Sequence, residues 1–372
     1  MKRNIRIVTV LLCTLIPVFA SAHQYGDRPV IQLAVLLDTS NSMDGLINQA
    51  KSQLWKIVSE TGRLKKHGEE PVLEVALYEY GNDSLSAFGG YIRQVVPFTT
   101  DLDHVSQKLF ELWTNGGSEY CGQVISKANR QLDWYDDDDT LKLIFIAGNE
   151  PFDQGPVQYV RAAQAAKRRG ITVNTIFCGG YEEGIHTSWQ HGAHITGGKY
   201  MNIDSDYSYS YIRAPQDERI GELNRRLNET YLGYGASGEE KKELQSRQDA
   251  NASSMNQGSF LDRAKVKSSR NYSNSDWDIV DAYTEGEVDL EKMDEADLPP
   301  EMKALDPDER EAFVSRKLEE RKSIQEEIVR LSRERDEYVK EQMESETVEN
   351  ALDTAVIDAL TTAAEDKGFE LE

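Results

Sequence analysis

Asp38, Ser40 and Ser42 alternate at the end of the stretch Ile31–Met43, IQLAVLLDTSNSM. One carboxylate and two hydroxyls on alternate residues make a compact set of hard oxygen donors, which suits Mg²⁺ or a similar cation. The competing use is a helix cap, in which Ser40 or Ser42 satisfies free amides at a helix N-terminus. The rest of the chain offers no catalytic constellation: no G-x-S-x-G, no H-E-x-x-H, no GxxxxGK[ST] and no cysteine paired with a base. His186, His191 and His194 cluster, but only His191 and His194 share a helical face, and a zinc site wants a fourth ligand. Asp136–Asp139 is a run of acids without the spaced acids and glycine of a calcium loop, and reads as a solvated loop.

The donors need elements to position them. Leu33–Leu37 is a continuous apolar run, as in a strand buried on both faces of a parallel sheet. Leu46, Ile47, Ala50, Leu54, Trp55 and Val58 follow at helical spacing. Asp38, Ser40 and Ser42 are therefore expected in a strand-to-helix turn at the carboxyl end of a buried strand, where open α/β sheets bind ligands. Val72–Tyr80 alternates like a half-exposed strand, and Tyr91–Phe98 follows it as the other arm of an antiparallel edge hairpin. Leu141–Ala147 and Ile171–Cys178 read as further strands, and Lys199–Ile203 as a short one. Helices are expected from Leu102, over Val157–Arg169, around Ser188–Ile195 and over Gln216–Tyr231.

The 372 residues suffice for two domains. Residues 1–22 read as a signal peptide: Lys2, Arg3 and Arg6, then apolar Ile7–Phe19, then Ala20-Ser21-Ala22 with cleavage after Ala22. The destination implied is periplasmic or secreted. No later stretch is apolar enough to span a membrane. The net charge of −23 becomes −26 when those three basic residues leave. Such a chain repels nucleic acid and anionic membranes.

Asp38-x-Ser40-x-Ser42, with a buried strand before it and a helix after it, resembles the first motif of the von Willebrand factor type A (vWA) family, which forms a metal-ion-dependent adhesion site. The resemblance spans about 29–234. It implies a doubly wound α/β domain with a mostly parallel sheet and one antiparallel edge strand. It also implies that the Gly116-Gly117-Ser118-Glu119 loop is the second motif, with Ser118 as the hydroxyl and Glu119 as a neighbouring carboxylate. The third motif departs from the family. Its usual Thr-Asp-Gly is replaced so that Gly148 takes the Asp position, with Asn149 and Glu150 as the nearest oxygen donors. Either Glu119 or Glu150 stands in, or the cation is held weakly. Cys121 and Cys178, the cysteines left after cleavage, are expected as a disulfide beside this site.

Residues 235–300 read as a polar linker region, helical over Gly238–Ala252 and rich in Ser and Asn over 251–276. Residues 301–372 read as a helical tail: Glu309–Met343, with a seam broken by Lys317, Arg321, Arg335 and Gln342, then Thr347–Lys367. The first is expected as an imperfect coiled coil or as a long solvated helix docked on one face, and the two together as an αα-hairpin. The resemblance implies an exported, non-enzymatic binding protein. A divalent cation (Mg²⁺, or Mn²⁺ or Ca²⁺) would leave one position open to a protein partner's carboxylate. The alternatives are an envelope scaffold binding through its tail, and an enzyme using the cation for hydrolysis. The oligomeric state is not legible.

Overall fold

The computed structural model describes residues 25–26, 28–203, 211–346 and 351–371. The expected signal peptide lies outside the described residues. The apolar run forms β1 (Val30–Asp38), buried along its whole length. It is followed by α1 (Ile47–Thr61), the short β2 (Leu64–Lys66) and β3 (Val72–Tyr80). Next come β4 (Ile92–Thr99), α2 (Leu102–Glu111), α3 (Cys121–Gln131), β5 (Leu141–Gly148), α4 (Tyr159–Lys167) and β6 (Ile171–Cys178). Two short helices, α5 (Tyr181–His186) and α6 (Trp189–His194), lead to β7 (Tyr200–Ile203).

These strands form one sheet in the order β4-β3-β1-β5-β6-β7. β4 is antiparallel to β3 and the remaining pairs are parallel. β1 shows why both faces must be covered. Ile31, Leu33, Val35 and Leu37 pack with α1, α2 and later helices, while Ala34 and Leu36 pack with α3, α4 and α6. The chain leaves β1 toward β3 but leaves β5 toward β6. The carboxyl ends of β1 and β5 therefore flank the crevice where the strand order reverses, the usual ligand position in such sheets.

β3 was expected to be half exposed, and it is buried throughout. Its polar residues are compensated rather than solvated. Gln32 Nε2 donates to Glu74 Oε2 at 2.8 Å, and Arg93 pairs with Glu79 at 2.7 Å.

The largest difference lies after residue 234. α7 (Asp217–Asn228) does not close the fold. It is followed by α8 (Gly238–Met255), α9 (Gln257–Lys267) and α10 (Ile279–Glu285). The expected linker is thus a folded layer. α8 packs on α2, and α9 packs on α1, α7 and α8. Beyond it, α11 (Pro307–Glu346) lies on α7, α9 and α10, and α12 (Ala351–Glu365) lies on β7 and α1. β8 (Phe369–Leu371) then pairs antiparallel with β2.

The two tail helices therefore do not pack as an αα-hairpin or coiled coil among the described residues, because their apolar faces are spent on the domain. The residues that break the α11 seam explain the docking. Arg321, buried, donates to Asp278 at 2.6 Å and to the Thr230 carbonyl at 2.7 Å, and lies 3.9 Å over the Tyr231 ring. Arg335 donates to Asp217 at 2.8 Å, and Lys317 to the Glu229 carbonyl at 3.2 Å. No described helix is long and apolar enough to cross a membrane.

Candidate metal centre

Asp38 is the last residue of β1 and is fully buried. Its Oδ1 accepts the Ser40 backbone N–H at 2.8 Å, which folds the turn back on the strand end. Its Oδ2 is buried and has no hydrogen-bond partner. Burial pushes the carboxyl up to about 8, against the Ser40 N–H, and the nearby Glu119 and Glu150 carboxylates push the same way. Ser40 is buried and its hydroxyl lies 2.8 Å from that of Ser42. Neither serine side chain caps the helical turn Asn41–Met43 that follows. The capping use of these hydroxyls is therefore not the one observed.

The second loop meets this turn directly. The Asn115 N–H donates to the Thr39 carbonyl at 3.0 Å, and the Asp83 N–H to the Gly116 carbonyl at 3.1 Å. Thr114 donates to Asp44. Glu119 is buried, with the Ser40 hydroxyl among its neighbours. Burial raises its pKa, while the Ser40 hydroxyl lowers it. Gly81, at the end of β3, marks how close the two carboxylates come. A Cβ there would lie 2.6 Å from Asp38 Oδ1 and 3.1 Å from Glu119 Cγ. Ser118 is half buried and sits next to Glu119 in the chain.

The third loop contributes differently from expectation. Asn149 clamps the first motif: Ser42 Oγ donates to Asn149 Oδ1 at 2.9 Å, and Asn149 Nδ2 donates to the Ser42 carbonyl at 2.9 Å. Glu150 is near enough to act on Asp38 and Glu119 through its charge, but its Oε2 accepts from Gln154 Nε2 at 3.2 Å.

Asp38, Ser40, Ser42 and Glu119 are thus brought together from loops far apart in sequence, with Asn149 joined to them and Glu150 at the margin. Sequence reasoning missed Tyr80. It lies opposite Asp38 in the β1–β3 register, a relation that no residue pattern in the sequence marks. Its hydroxyl donates to the Ala147 carbonyl at 3.0 Å and lies 3.7 Å from Cys121 Sγ.

The expected disulfide is not formed; Cys121 and Cys178 are both free and buried. Cys121 packs on the face of the sheet that carries α3 and α4, whereas Cys178 packs with Ile176 and Met201 on the opposite face. The sheet itself separates the two thiols.

The donor set fits a hard divalent cation. Two buried carboxylates and two hydroxyls converge on one turn, and one carboxylate oxygen is unpartnered away from water, which is costly unless a cation or proton meets it. Hydroxyls are needed, since no three His, Cys, Asp or Glu side chains gather as a metal group among the described residues. His191 is 2.8 Å from the Tyr159 hydroxyl, and His186 is tied to the Glu182 carbonyl at 2.7 Å. In the Asp136–Asp139 run, Asp137 accepts the backbone N–H groups of Asp139 and Thr140 at 2.8 and 2.7 Å, as a turn residue does.

Among solved structures, the chain is similar to the conserved hypothetical protein BatB from Bacteroides thetaiotaomicron, at 18% identity over 47% of this chain and 90% of that one, with a TM-score of 0.36. It is similar to the SpRpn10 VWA domain at 13% identity, covering 47% and 89%, with a TM-score of 0.37. It is also similar to proximal thread matrix protein 1 of the mussel byssus with a zinc-occupied MIDAS motif, at 11% identity, covering 48% and 43%, with a TM-score of 0.35. No curated protein matches the chain. The family profile of the von Willebrand factor type A domain matches residues 32–187, so the chain carries a vWA domain over that stretch.

Proposed function

We propose that this is an exported, non-enzymatic binding protein. Its vWA domain holds one divalent cation, Mg²⁺ or alternatively Mn²⁺ or Ca²⁺, through Asp38, Ser40, Ser42, Ser118 and a second carboxylate. When bound, the cation supplies a Lewis-acidic position that an Asp or Glu carboxylate of a protein partner completes. The observation that carries this reading is the Asp38 Oδ2 atom, buried without a hydrogen-bond partner in a carboxyl group whose charged neighbours are Glu119 and Glu150.

The surroundings suit a protein partner. Phe88, Trp113 and Tyr181, the last of these at the start of α5, are exposed large apolar side chains in the connections at the same end of the sheet as Asp38. The Trp113 carbonyl accepts from Asn82, just past β3, which ties its loop to that end. Aromatic anchors around a polar centre are a common interface composition. Binding through the tail is the weaker reading, because Val314, Ile324, Ile328, Val356 and Leu360 are already buried within the chain. Residues 1–22 serve as the signal peptide, cleaved after Ala22, and the destination is the periplasm or the medium.

Titration calorimetry of the full chain with Mg²⁺, Mn²⁺ and Ca²⁺ tests the cation. Binding in the wild type and loss in Asp38→Ala are expected; no heat with any of the three at millimolar concentration overturns it. Capture from envelope extract with Mg²⁺ or with chelator tests the partner. A partner retained equally well in chelator, or by Asp38→Ala, is not held through the cation.

A further inference from the structure

The replacement of the usual third-motif Asp by Gly148 has a steric cause in this chain. A Cβ on residue 148 would lie 2.5 Å from the Tyr80 hydroxyl, 3.0 Å from Asp38 Oδ2 and 3.1 Å from Asp38 Cβ. Tyr80 has nowhere to move. It is fully buried, its hydroxyl is bonded to the Ala147 carbonyl, and its ring packs with Ala34, Leu36 and Ile146 on the α3–α4 face. Cores at this density do not open for a carboxylate without loss. The space at the end of β5 that a carboxylate would fill is therefore held by a phenol from β3.

The missing charge has a replacement on the opposite side of Asp38. Glu119 is buried, and it approaches Asp38 across Gly81. Glu150, the other carboxylate in the neighbourhood, is only half buried and is engaged by Gln154. Asp38 Oδ2, on the Gly148 side of the same carboxylate, is buried without a hydrogen-bond partner and so needs a ligand or proton to meet it.

We propose that Glu119 is the second carboxylate of the cation site, and that the Tyr80 hydroxyl enforces this substitution by filling the space at Gly148. The proposal rests on the reading that the site takes a divalent cation. It moves the anionic ligands onto the β1 turn and the loop before α3. The β5 loop is left with a neutral role, through Asn149 on Ser42. Asp38 and Glu119 together match the charge of one divalent cation.

Mn²⁺ titrations of the full chain test it, with melting curves to confirm folding. Glu119→Gln should weaken Mn²⁺ affinity at least about tenfold, while Glu150→Gln should stay within about twofold of wild type. Glu119→Asp keeps the charge on a shorter arm and should fall between wild type and Glu119→Gln. It also serves as the test should Glu119→Gln fail to fold. Gly148→Asp alone should lower the melting temperature without raising affinity. On the Glu119→Gln background, Gly148→Asp combined with Tyr80→Phe should recover part of the lost affinity. Wild-type affinity in Glu119→Gln, with binding still abolished by Asp38→Ala, overturns the proposal and leaves the cation reading standing. An equal loss in Glu150→Gln also overturns it. A wild-type chain that takes no Mn²⁺ removes both.

Discussion

Arg263 is fully buried between two carboxylates: its Nη2 donates to Asp103 of α2 at 2.5 Å and its Nε to Asp249 of α8 at 2.7 Å. The Tyr272 hydroxyl reaches the other oxygen of Asp103 at 2.6 Å, and Lys267 donates to Asp249 at 2.8 Å. This network joins the α/β domain to the helices after residue 234. Removing one partner leaves buried charge uncompensated, which costs about 3–5 kcal/mol. Arg263→Met should therefore lower unfolding stability by that amount in denaturant melts. A chain ending at residue 234 should be insoluble or lack a cooperative melt. A soluble, cooperatively melting fragment would show that the layer is dispensable.

Glu60 sets an acid limit. Burial alone would raise its pKa, but Lys265 at 3.0 Å and Arg63 at 2.6 Å overcome that and hold it down at about 2. A carboxylate depressed in the folded state contributes stability above its unfolded pKa, and that contribution is lost as pH falls through the folded value. The lowering from 4.5 to about 2 is worth about 3 kcal/mol, present in full above pH 4.5 and lost between there and pH 2. Urea melts across this window should show the decline, and Glu60→Gln should flatten it. An unchanged slope in the variant would assign the acid loss to other groups.

The domain was legible where burial is apolar. The Leu33–Leu37 run, the Asp38 turn and the antiparallel edge could be read because hydrophobic pattern and turn chemistry agree there. After residue 234 the helix over Gly238–Ala252 could be read but its docking could not, because its buried face is polar. α8 buries Gln245, Gln248 and Asp249, so no apolar stripe announces it. The Ser/Asn-rich stretch, which composition assigns to a linker, uses its amides structurally. Asn256 caps α9 through the Ser259 N–H at 2.8 Å, and Asn271 accepts from the distant Leu73 N–H at 3.2 Å. At the site, the motif residues were visible, but Tyr80 was not. Its effect on residue 148 arises from strand register, which a single sequence does not show.

The free thiols give a direct check on the sheet. Cys121 and Cys178 lie on opposite faces, and burial pushes both pKa values up. Thiolate, the reactive form, is therefore scarce at neutral pH. Protein lacking residues 1–22 should resist alkylation when native and show both thiols only after denaturation. Its melting temperature should not respond to reductant. A mass consistent with an intramolecular disulfide would contradict the strand placement.

Gly117 couples the second loop to the site most tightly. Its φ is +134°, and a Cβ there would lie 1.7 Å from the Gly81 carbonyl oxygen. Both the backbone angle and the contact exclude any other residue without displacing the loop. Gly117→Ala should cost at least about 2 kcal/mol in strain. It should also move Glu119 off Ser40 and so weaken Mn²⁺ binding. Gly180→Ala is the control: it lies on the same rim with ordinary φ and nothing within 4 Å, and should stay within about 0.5 kcal/mol of wild type. Calorimetric titration beside thermal melts separates the two effects. A Gly117→Ala protein that is destabilised yet binds Mn²⁺ with wild-type affinity would take the Gly116–Glu119 loop out of the site.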